Sequence, residues 1–402
     1  MLKKLQKKIN LPKSIWILGF VSLLMDVSSE MIHSLLPLFL VTGLGASVLS
    51  VGIIEGIAES TALIIKVFSG VLSDYFKNRK WLTVMGYGLG ALSKPLFAIA
   101  TSINMVFSAR VLDRIGKGIR GAPRDALIAD LTVIQNRGAA YGLRQSLDTL
   151  GALIGPLIAF GLMILWSNNF RAIFWVAMIP GLFAVLLLVI GIKEPPKLQS
   201  ATGSTKAKKT MIQFNHISEL GSSFWWIVII GAVFNMARFS EAFLVLKAQQ
   251  VGIEMAMVPL VMVLMNLIYS GVAYPAGKIA DQKGYHRVLI AGLLVLILAD
   301  SLLAQNQGYV LLLSGVALWG LHMGMTQGLL ASMIATEAPQ HIRGTCFGVY
   351  NLISGLALLI SSILAGFIWD KFGSEYVFYI GALWTVIALA LLVVKKQVIM
   401  FV

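Results

Sequence analysis

The sequence predicts an all-α membrane protein, with twelve transmembrane helices in two pseudo-symmetric six-helix bundles. Of its 402 residues, 58% are hydrophobic and only 12% are charged, whereas a soluble domain carries about 25% charged residues. Long apolar runs recur along the whole chain, and the alternating ten-residue pattern of a membrane β-barrel is absent from it. Motifs of the first half recur 206 or 207 positions later, which indicates an internal duplication.

The positions of the spans follow from the roughly 20 apolar residues that a helix needs to cross a bilayer. We place the spans at residues 15–42, 47–72, 81–101, 104–129, 138–165, 171–192, 223–246, 256–280, 287–304, 309–336, 344–369 and 375–395. The one long polar connection is rich in Pro, Ser, Thr, Gly and Lys, a composition typical of a flexible linker. The predicted division is an N-terminal bundle at 1–192, a linker at 193–222 and a C-terminal bundle at 223–402.

The distribution of basic residues predicts the orientation in the membrane. Outside the spans, 21 Lys and Arg residues fall on the face that holds both termini, and 3 fall on the other face. Because cytoplasmic loops are enriched in Lys and Arg, both termini and the linker are predicted to be cytoplasmic. The basic N-terminus is not followed by a small-residue cleavage site, so the first span is expected to be retained.

Short motifs at the ends of the spans resemble those of the major facilitator superfamily. The residues that carry the resemblance after the second and eighth spans are Gly70, Asp74, Arg79, Gly277, Asp281 and Arg287. The fourth span matches at Arg114, Gly118, Gly121 and Ala122, with Lys117 where the family usually has Gln. In the fifth span, Gly151, Gly155 and Pro156 are similar to a motif that is frequent in antiporters of the family.

This resemblance implies two six-helix bundles around a central cavity, with spans 1, 4, 7 and 10 lining it. Transport would occur by alternating access as the halves rock against each other. The protein is then expected to be a transporter of a bacterial cytoplasmic membrane and not an enzyme. The motif residues between spans would act in gating, and Gly151, Gly155 and Pro156 would permit close helix packing and bending.

The fourth span contains the stretch that is hardest to explain by packing alone, RVLDRIGKGIRGAPR at 110–124. Arg110, Arg114 and Lys117 share one helical face, although a charge at bilayer depth costs at least ~2.5–3.5 kcal/mol. Guanidinium and ammonium groups suit carboxylates and phosphates, so these residues predict a binding site for an anionic substrate. In the alternative, neighbouring acids neutralise the three cations inside the protein.

Span 1 carries Asp26, Glu30 and His33 on one polar stripe. Two carboxylates four residues apart repel each other, which favours protonation of one of them. Together with Asp113 of span 4, Asp26 and Glu30 are therefore predicted to couple transport to protons. The alternative is a set of ion pairs with span 4 that only stabilises packing. Lys94 lies in span 3, which the resemblance places at the periphery, so it is given no function.

Spans 2, 7 and 10 also contain ionisable residues. Arg238 and Glu241 of span 7 lie three residues apart and are predicted to contact substrate or to close the path. Glu55 and Glu59 of span 2 fit a structural and a functional role equally. His322 of span 10 is isolated among apolar residues, so a packing role with a hydrogen bond is expected.

The sequence lacks a G-x-x-x-x-G-K-[ST] nucleotide loop and any metal-ligand spacing, so neither a cofactor nor a metal is expected. Its basic residues are dispersed between apolar spans, which argues against nucleic acid. The sequence predicts a monomeric, proton-coupled secondary transporter of a small polar, anionic organic solute; a carboxylate-type siderophore fits the charge. The alternative is a proton-coupled multidrug or metabolite efflux antiporter. A remote alternative is a non-transporting sensor or an intramembrane enzyme.

Overall fold

The computed structural model of the chain describes residues 11–76, 78–133, 136–193, 220–305, 308–339 and 342–400. Within these ranges the chain is helical, and none of the described residues forms a strand. Most of the predicted linker, at 194–219, lies outside the described residues. The boundary between the two bundles therefore stays a prediction.

Twelve membrane helices follow one another through the described ranges, and the predicted all-α class is confirmed. Spans 1 to 6, the first half, run over Lys13–Gly43, Val48–Phe76, Arg79–Ala98, Ile103–Asp130, Arg137–Leu165 and Phe170–Gly191. Spans 7 to 12, the second half, run over Ser222–Gln250, Pro259–Lys283, Tyr285–Leu303, Gly308–Glu337, Arg343–Phe372 and Ser374–Met400. Ten of the described helices are long and apolar enough to cross a bilayer; spans 3 and 4 are the more polar pair.

Span 1 is regular only in its first part. The α-helix ends at His33, resumes at Leu36–Leu38 and continues as a π-helix over Phe39–Gly43. Pro37 has no backbone N–H and restricts the residue before it, so the regular hydrogen-bond ladder cannot pass through this point. The helix is therefore interrupted between His33 and Leu36.

Span 7, predicted at 223–246, is present but is broken within its length. The first part ends at Ala237 and the second begins at Ala242. The Ser240 hydroxyl accepts the backbone N–H of Ala242 at 3.3 Å. The backbone N–H of Ser240 donates to the Ser362 hydroxyl of span 11, also at 3.3 Å. Ser361 donates to the Met236 carbonyl at 3.0 Å. These serines supply the partners that lipid cannot, so the break is tolerated inside the protein.

The two ends of the molecule differ in packing. We call one the terminal end: there Lys13 begins span 1, Arg79 pairs with Asp130, and Lys80 donates to the Val189 carbonyl at 2.9 Å. At the opposite end, which we call the far end, the two halves form one apolar core. Its members include Leu36, Leu38 and Phe39 of span 1 and Phe243, Leu244 and Val245 of span 7, each at most 3% exposed. The far end is therefore sealed.

A carboxylate joins the halves at the far end. Asp370, in the last turn of span 11, accepts the backbone N–H groups of Val48 at 3.2 Å and Leu49 at 2.9 Å. These groups begin span 2, where the first N–H groups of a helix lack partners and the helix dipole is positive. Close contact is possible because Gly52 presents no side chain to the Ser362 carbonyl. Asp370 thus stabilises the sealed arrangement of this end.

Replacing Asp370 by Ala is expected to open the far end more often. Loss of a helix-capping acceptor costs about 0.5–2 kcal/mol, so the open population should rise roughly 2- to 30-fold. A cysteine introduced at Phe243, which is buried in this state, reports the opening through its rate of labelling by an impermeant maleimide. Glu254→Ala, at an exposed acid of the same end, is the matched control. Equal labelling rates in both variants would contradict a latch at Asp370.

Candidate functional site

A cavity separates the halves on the side of the terminal end. It has two compartments, of about 370 Å³ and about 440 Å³, whose walls share Gln145 of span 5 and Tyr269 of span 8. The first compartment lies against spans 1, 2, 4, 5 and 8. The second reaches Asp281 and Tyr285, where spans 8 and 9 meet. The cavity therefore opens at the terminal end and stops below the sealed far end.

The first compartment is polar and contains both signs of charge. Its charged lining, among the described residues, is Asp26, Glu30, Glu59, Lys66, Lys117, Arg120, Arg124 and Asp148, all from the first half. The second half adds neutral polar groups, Asn266 and Tyr269 of span 8. Asn266 also donates to the Ala152 carbonyl at 3.2 Å, which ties span 8 to span 5. A few oriented polar groups in a concave wall are typical of a small-molecule site.

Two of the three predicted anion-binding cations are paired inside the protein. Arg110 is 2% exposed, and its guanidinium lies 2.6 Å from Glu55 and 3.5 Å from Glu59. Arg114, also 2% exposed, lies 3.2 Å from Glu59 and 3.8 Å from Asp113. Neither arginine lines the compartments. The structure thus favours, for these two residues, the alternative in which neighbouring acids neutralise them.

Asp113 is also held in a buried ion pair. Its carboxylate receives the Lys94 ammonium at 2.8 Å, and Lys94 donates in addition to Ser29 at 3.0 Å. Lys94 is 1% exposed, so its side chain points into the protein and not toward lipid, although it lies on span 3. A lysine in span 3 needs a counter-charge at this depth, and the nearest acid of span 4 supplies it.

His33 connects spans 1 and 2. Its ring lies 3.4 Å from Glu30 through Nδ1 and 3.6 Å from Glu55 through Nε2. Ligand atoms of His33, Glu55 and Glu59 lie within 4.8 Å of one another, a spacing that could hold a metal ion. Arg110, however, already supplies positive charge to both glutamates. A divalent cation would have to displace the guanidinium, so we assign no metal to this group.

Lys117 differs from the two arginines that precede it on the helix face. It is exposed to the first compartment, and no ion pair within 4.0 Å joins it to any residue that the structure describes. Charged groups near it are Arg114, Glu59, Asp26 and Glu30. Arg120, further along, stacks on Tyr87 with its guanidinium carbon 4.7 Å from the ring centroid. Lys117 is therefore the cation of the predicted set that a solute can reach.

Asp26 lines the same compartment from span 1. In the described ranges it has neither a hydrogen bond nor an ion pair, and its charged neighbours are Asp148, Arg120, Lys117 and Glu30. Asp148 is already paired with Arg144, one turn before it on span 5. Asp26 thus faces water between a second carboxylate and two cations. This placement suits a group that exchanges protons.

Arg238 and Glu241 flank the break in span 7 and do not line either compartment. The guanidinium carbon of Arg238 lies 5.8 Å from the centroid of Phe234. Glu241 has His33, Glu30 and Glu59 of the first half among its charged neighbours. Glu241 therefore lies where the two halves meet, whereas the charged and polar neighbours of Arg238, among them Glu241 and Tyr269, belong to the second half.

The predicted gating residues after span 2 lie at the terminal end. Arg79 pairs with Asp130 and donates to the Ala126 carbonyl at 3.4 Å, so it fixes the start of span 3 to the end of span 4. Gly70 packs near Ala122 of span 4. The side chain of Asp74 lies outside the described residues.

The corresponding residues after span 8 border the cavity. Gly277 and Asp281 line the second compartment, and Asp281 accepts the hydroxyl hydrogen of Tyr285 at 3.1 Å. Arg287 is exposed in the first turn of span 9. Gly277 and Asp281 therefore lie at the wall of the second compartment, and their predicted part in gating stays a prediction.

The small residues of span 5 permit its close approach to span 1. Gly151 lies against the Leu23 carbonyl, and Gly155 lies against the Val27 carbonyl and Glu30. Pro156 is buried within span 5. Their contacts are with the protein and not with the cavity, which agrees with a packing role.

Part of the cavity wall is absent from the residues predicted from sequence. Gln145, Thr149, Asn266 and Tyr269 line it, but single polar side chains are common on membrane helices and do not stand out. Their spacing is the available signal. Gln145 and Thr149 lie four residues apart and Asn266 and Tyr269 lie three apart, so each pair marks one polar face of its helix.

Comparisons with known proteins identify the family. The sequence model of the Major Facilitator Superfamily matches residues 18–357 and 229–398. An uncharacterized MFS-type transporter of Methanocaldococcus jannaschii is 30% identical over 389 residues, 94% of each chain. Multidrug resistance protein 1 of Bacillus subtilis is 28% identical over 194 residues, 48% of each chain. A variant of the nucleoside transporter NupG superposes with a TM-score of 0.80 at 14% identity, over 95% of this chain and 99% of that one. The chain therefore belongs to the major facilitator superfamily of membrane transporters.

Proposed function

We propose that this transporter carries a small organic anion and couples its movement to protons. The observation that carries the proposal is the state of the three cations on span 4. Arg110 and Arg114 are neutralised by acids of span 2, whereas Lys117 is exposed to the polar compartment with no ion pair to a described residue. An exposed ammonium at this depth supports recognition of a carboxylate or phosphate.

Each residue then has a role in the proposal. Lys117 binds the anionic group of the solute, and the amide and hydroxyl groups of Gln145, Asn266 and Tyr269 orient its remainder. Asp26 exchanges the proton. The ion pairs of Arg110, Arg114 and Asp113 hold spans 2, 3 and 4 together beside the compartment, so the two arginines are given no contact with substrate. Arg238 and Glu241 close the path beyond the cavity.

The orientation of the described state follows from the charge distribution. The terminal end holds most of the loop lysines and arginines, so we place it in the cytoplasm of a cell whose cytoplasmic membrane contains the protein. The cavity is then open to the cytoplasm and sealed toward the outside. We further propose that the bundles at 1–192 and 223–402 rock as units within one monomer.

A thermal-shift screen of the purified protein tests the substrate class. Small mono-, di- and tricarboxylates, carboxylate-type siderophores, organic phosphates and lipophilic cations are compared at equal concentrations. A ligand at 100 times its Kd adds about 2.7 kcal/mol to the stability of the native state, so binding is visible as a rise in Tm. Stabilisation by anions and not by cations supports the proposal. Stabilisation by cations alone would contradict it.

Replacing Asp26 by Asn is expected to uncouple transport from the pH gradient. Asparagine keeps the size of the side chain but cannot exchange a proton, so uphill accumulation of the carboxylate found in the screen should fall to background. Exchange of labelled for unlabelled solute across the same proteoliposomes should persist, since it requires no net proton movement. Glu254→Gln, an exposed acid outside the cavity, is the control. Proton-driven accumulation that survives in Asp26→Asn would remove the coupling role.

Efflux of drugs or metabolites is the second candidate. It is favoured by the likeness to Multidrug resistance protein 1 over 48% of the chain and by the motif at Gly151, Gly155 and Pro156 in span 5. The compartment also contains four acids, which suit a cationic drug. The two candidates differ in sign: removal of the Lys117 charge weakens binding of an anion and strengthens binding of a cation.

A further inference from the structure

Span 9 contains a buried acid that the function proposed above does not use. Asp300 is 0% exposed, and neither of its carboxylate oxygens has a hydrogen-bond partner among the described residues. On span 10, the Nε1 group of Trp319 is buried and, within the same ranges, equally without a partner. Phe239, in the break of span 7, borders both. Its ring centroid is 5.4 Å from that of Trp319, and a Cβ placed on Gly381 would lie 3.1 Å from Phe239 and 2.9 Å from Asp300.

The internal duplication fixes which residues of the two halves correspond. In the first half, Gly86 of span 3 lies against Gly116 of span 4. The positions 206 residues later are Gly292 and His322, and these also touch: His322 Nδ1 lies 3.0 Å from the Gly292 carbonyl. Spans 9 and 10 therefore repeat the contact of spans 3 and 4 in the same register.

The same offset places Asp300 at the position of Lys94 and Trp319 at that of Asp113. Lys94 and Asp113 form an ion pair of 2.8 Å. The second half has an acid at the first position and an indole at the second, so the duplicated pair lacks a cation. Asp300 is therefore an acidic residue with no counter-charge among the residues that the structure describes.

A buried carboxyl group without a partner is stable only in its protonated, neutral form. A carboxylate at bilayer depth without a partner costs at least ~2.5–3.5 kcal/mol, and buried groups of this kind are neutralised by protonation. We propose that Asp300 is a proton-binding site of the second half, and that movement of the break in span 7 exposes it for exchange. The exchange step rests on the proposed proton coupling; the binding of the proton does not.

The break is placed to control access to this carboxyl. Asp300 packs at Gly381 of span 12, where the Ala237 carbonyl is 3.5 Å and Phe239 is 3.1 Å from the position that a Cβ on this glycine would occupy. Ala237 is the last residue before the break, and Phe239 lies within it. A shift of residues 238–241 therefore changes the wall around Asp300 directly.

No other described titratable residue is bonded to the Asp300 carboxyl group. Spans 8, 10 and 12 pack against span 9. Their described ionisable side chains are Tyr269, Tyr274, Lys278, Asp281, Lys283, Tyr309, His322, Glu337, Glu375, Tyr376 and Tyr379, and Arg238 and Glu241 lie at the break of span 7. None of these described residues makes a hydrogen bond or ion pair with Asp300, and burial is the influence that dominates at its carboxyl. A proton at this site is therefore bound by Asp300 alone.

Infrared difference spectroscopy of the full-length protein in lipid tests the proton directly, with D₂O as the probe. The spectrum of the wild type minus that of Asp300→Asn is expected to contain the carbonyl band of a protonated carboxylic acid at pH 7. In D₂O this band should shift within minutes, while the amide hydrogens of the surrounding spans stay protected. Absence of the band, or a band that shifts only as slowly as those amides, would overturn the proposal.

Transport assays test whether proton exchange at Asp300 takes part in the transport cycle. Asp300→Asn should retain solute exchange and the wild-type Tm, because asparagine is close in size and neutral like the protonated acid, but should lose pH-driven accumulation. If the wild type itself shows no proton-driven accumulation, the proposed coupling fails while the infrared result still decides the proton site. If Asp300→Asn accumulates solute as the wild type does, its exchange has no part in the cycle and that half of the proposal is overturned.

Discussion

Replacing Lys117 by Gln is expected to weaken binding of the transported anion by about 30-fold or more. This magnitude follows from the roughly 2–5 kcal/mol that is lost when one member of a hydrogen-bonded charge pair is truncated in a desolvated site. The native fold should be little changed, because Lys117 has no ion pair with a described residue that its loss would leave unpaired. The measurement is the affinity for the strongest carboxylate ligand of the thermal-shift screen, with Tm recorded without ligand.

Two variants control this result. Lys117→Arg keeps the charge and is expected to retain binding within a few-fold. Lys66→Gln removes an exposed lysine from the wall of the same compartment, nearer the terminal end, and is expected to have a smaller effect. Equal losses in Lys66→Gln and Lys117→Gln would show that only the total charge of the cavity matters. Unchanged binding in Lys117→Gln would remove this lysine from the site.

The distinction between Lys117 and the two arginines is the part of the site that the sequence could not decide. Helical spacing places all three on one face of span 4, but the acids of span 2 determine which cations stay free. Spans 2 and 4 run in the same direction, and Glu55 and Glu59, four residues apart, meet Arg110 and Arg114, also four apart. The next positions of span 2 on that side are Ala62 and Leu63. The series of acids ends one turn before Lys117.

The number and positions of the spans, in contrast, depend on local composition and could be predicted. A bilayer requires about 20 apolar residues from each helix, and this requirement appears in every span separately. The break in span 7 is a different case, since its partners Ser361 and Ser362 lie on span 11. A contact with a segment more than 100 residues away leaves no periodic signal at Arg238 or Glu241. The same reason applies to Lys94, whose burial depends on span 4.

The ion pair of Lys94 and Asp113 gives the largest expected effect on stability. Asp113→Asn removes the counter-charge that the buried ammonium of Lys94 has among the described residues. Its hydrogen bond to the neutral Ser29 hydroxyl remains. Removal of one partner from a buried ion pair typically costs about 3–5 kcal/mol, and we expect a loss of this size in the free energy of unfolding. It is measured by denaturant or thermal unfolding in one detergent, with Lys66→Met as the control at an exposed lysine of span 2.

Lys94→Met should lower the free energy of unfolding less than Asp113→Asn does. This difference would show that the loss in Asp113→Asn comes from the unpaired ammonium of Lys94. Without Lys94, the Asp113 carboxylate still lies 3.9 Å from Arg110 and 3.8 Å from Arg114, so a loss of about 1–2 kcal/mol is expected. The double variant Lys94→Met, Asp113→Asn removes both charges and should recover most of the loss seen in Asp113→Asn. If the two losses simply add, the residues act independently and Asp113 is not held by Lys94. Recovery in the double variant would instead assign Asp113 to the framework of span 4 and leave Asp26 as the acid that exchanges protons beside Lys117.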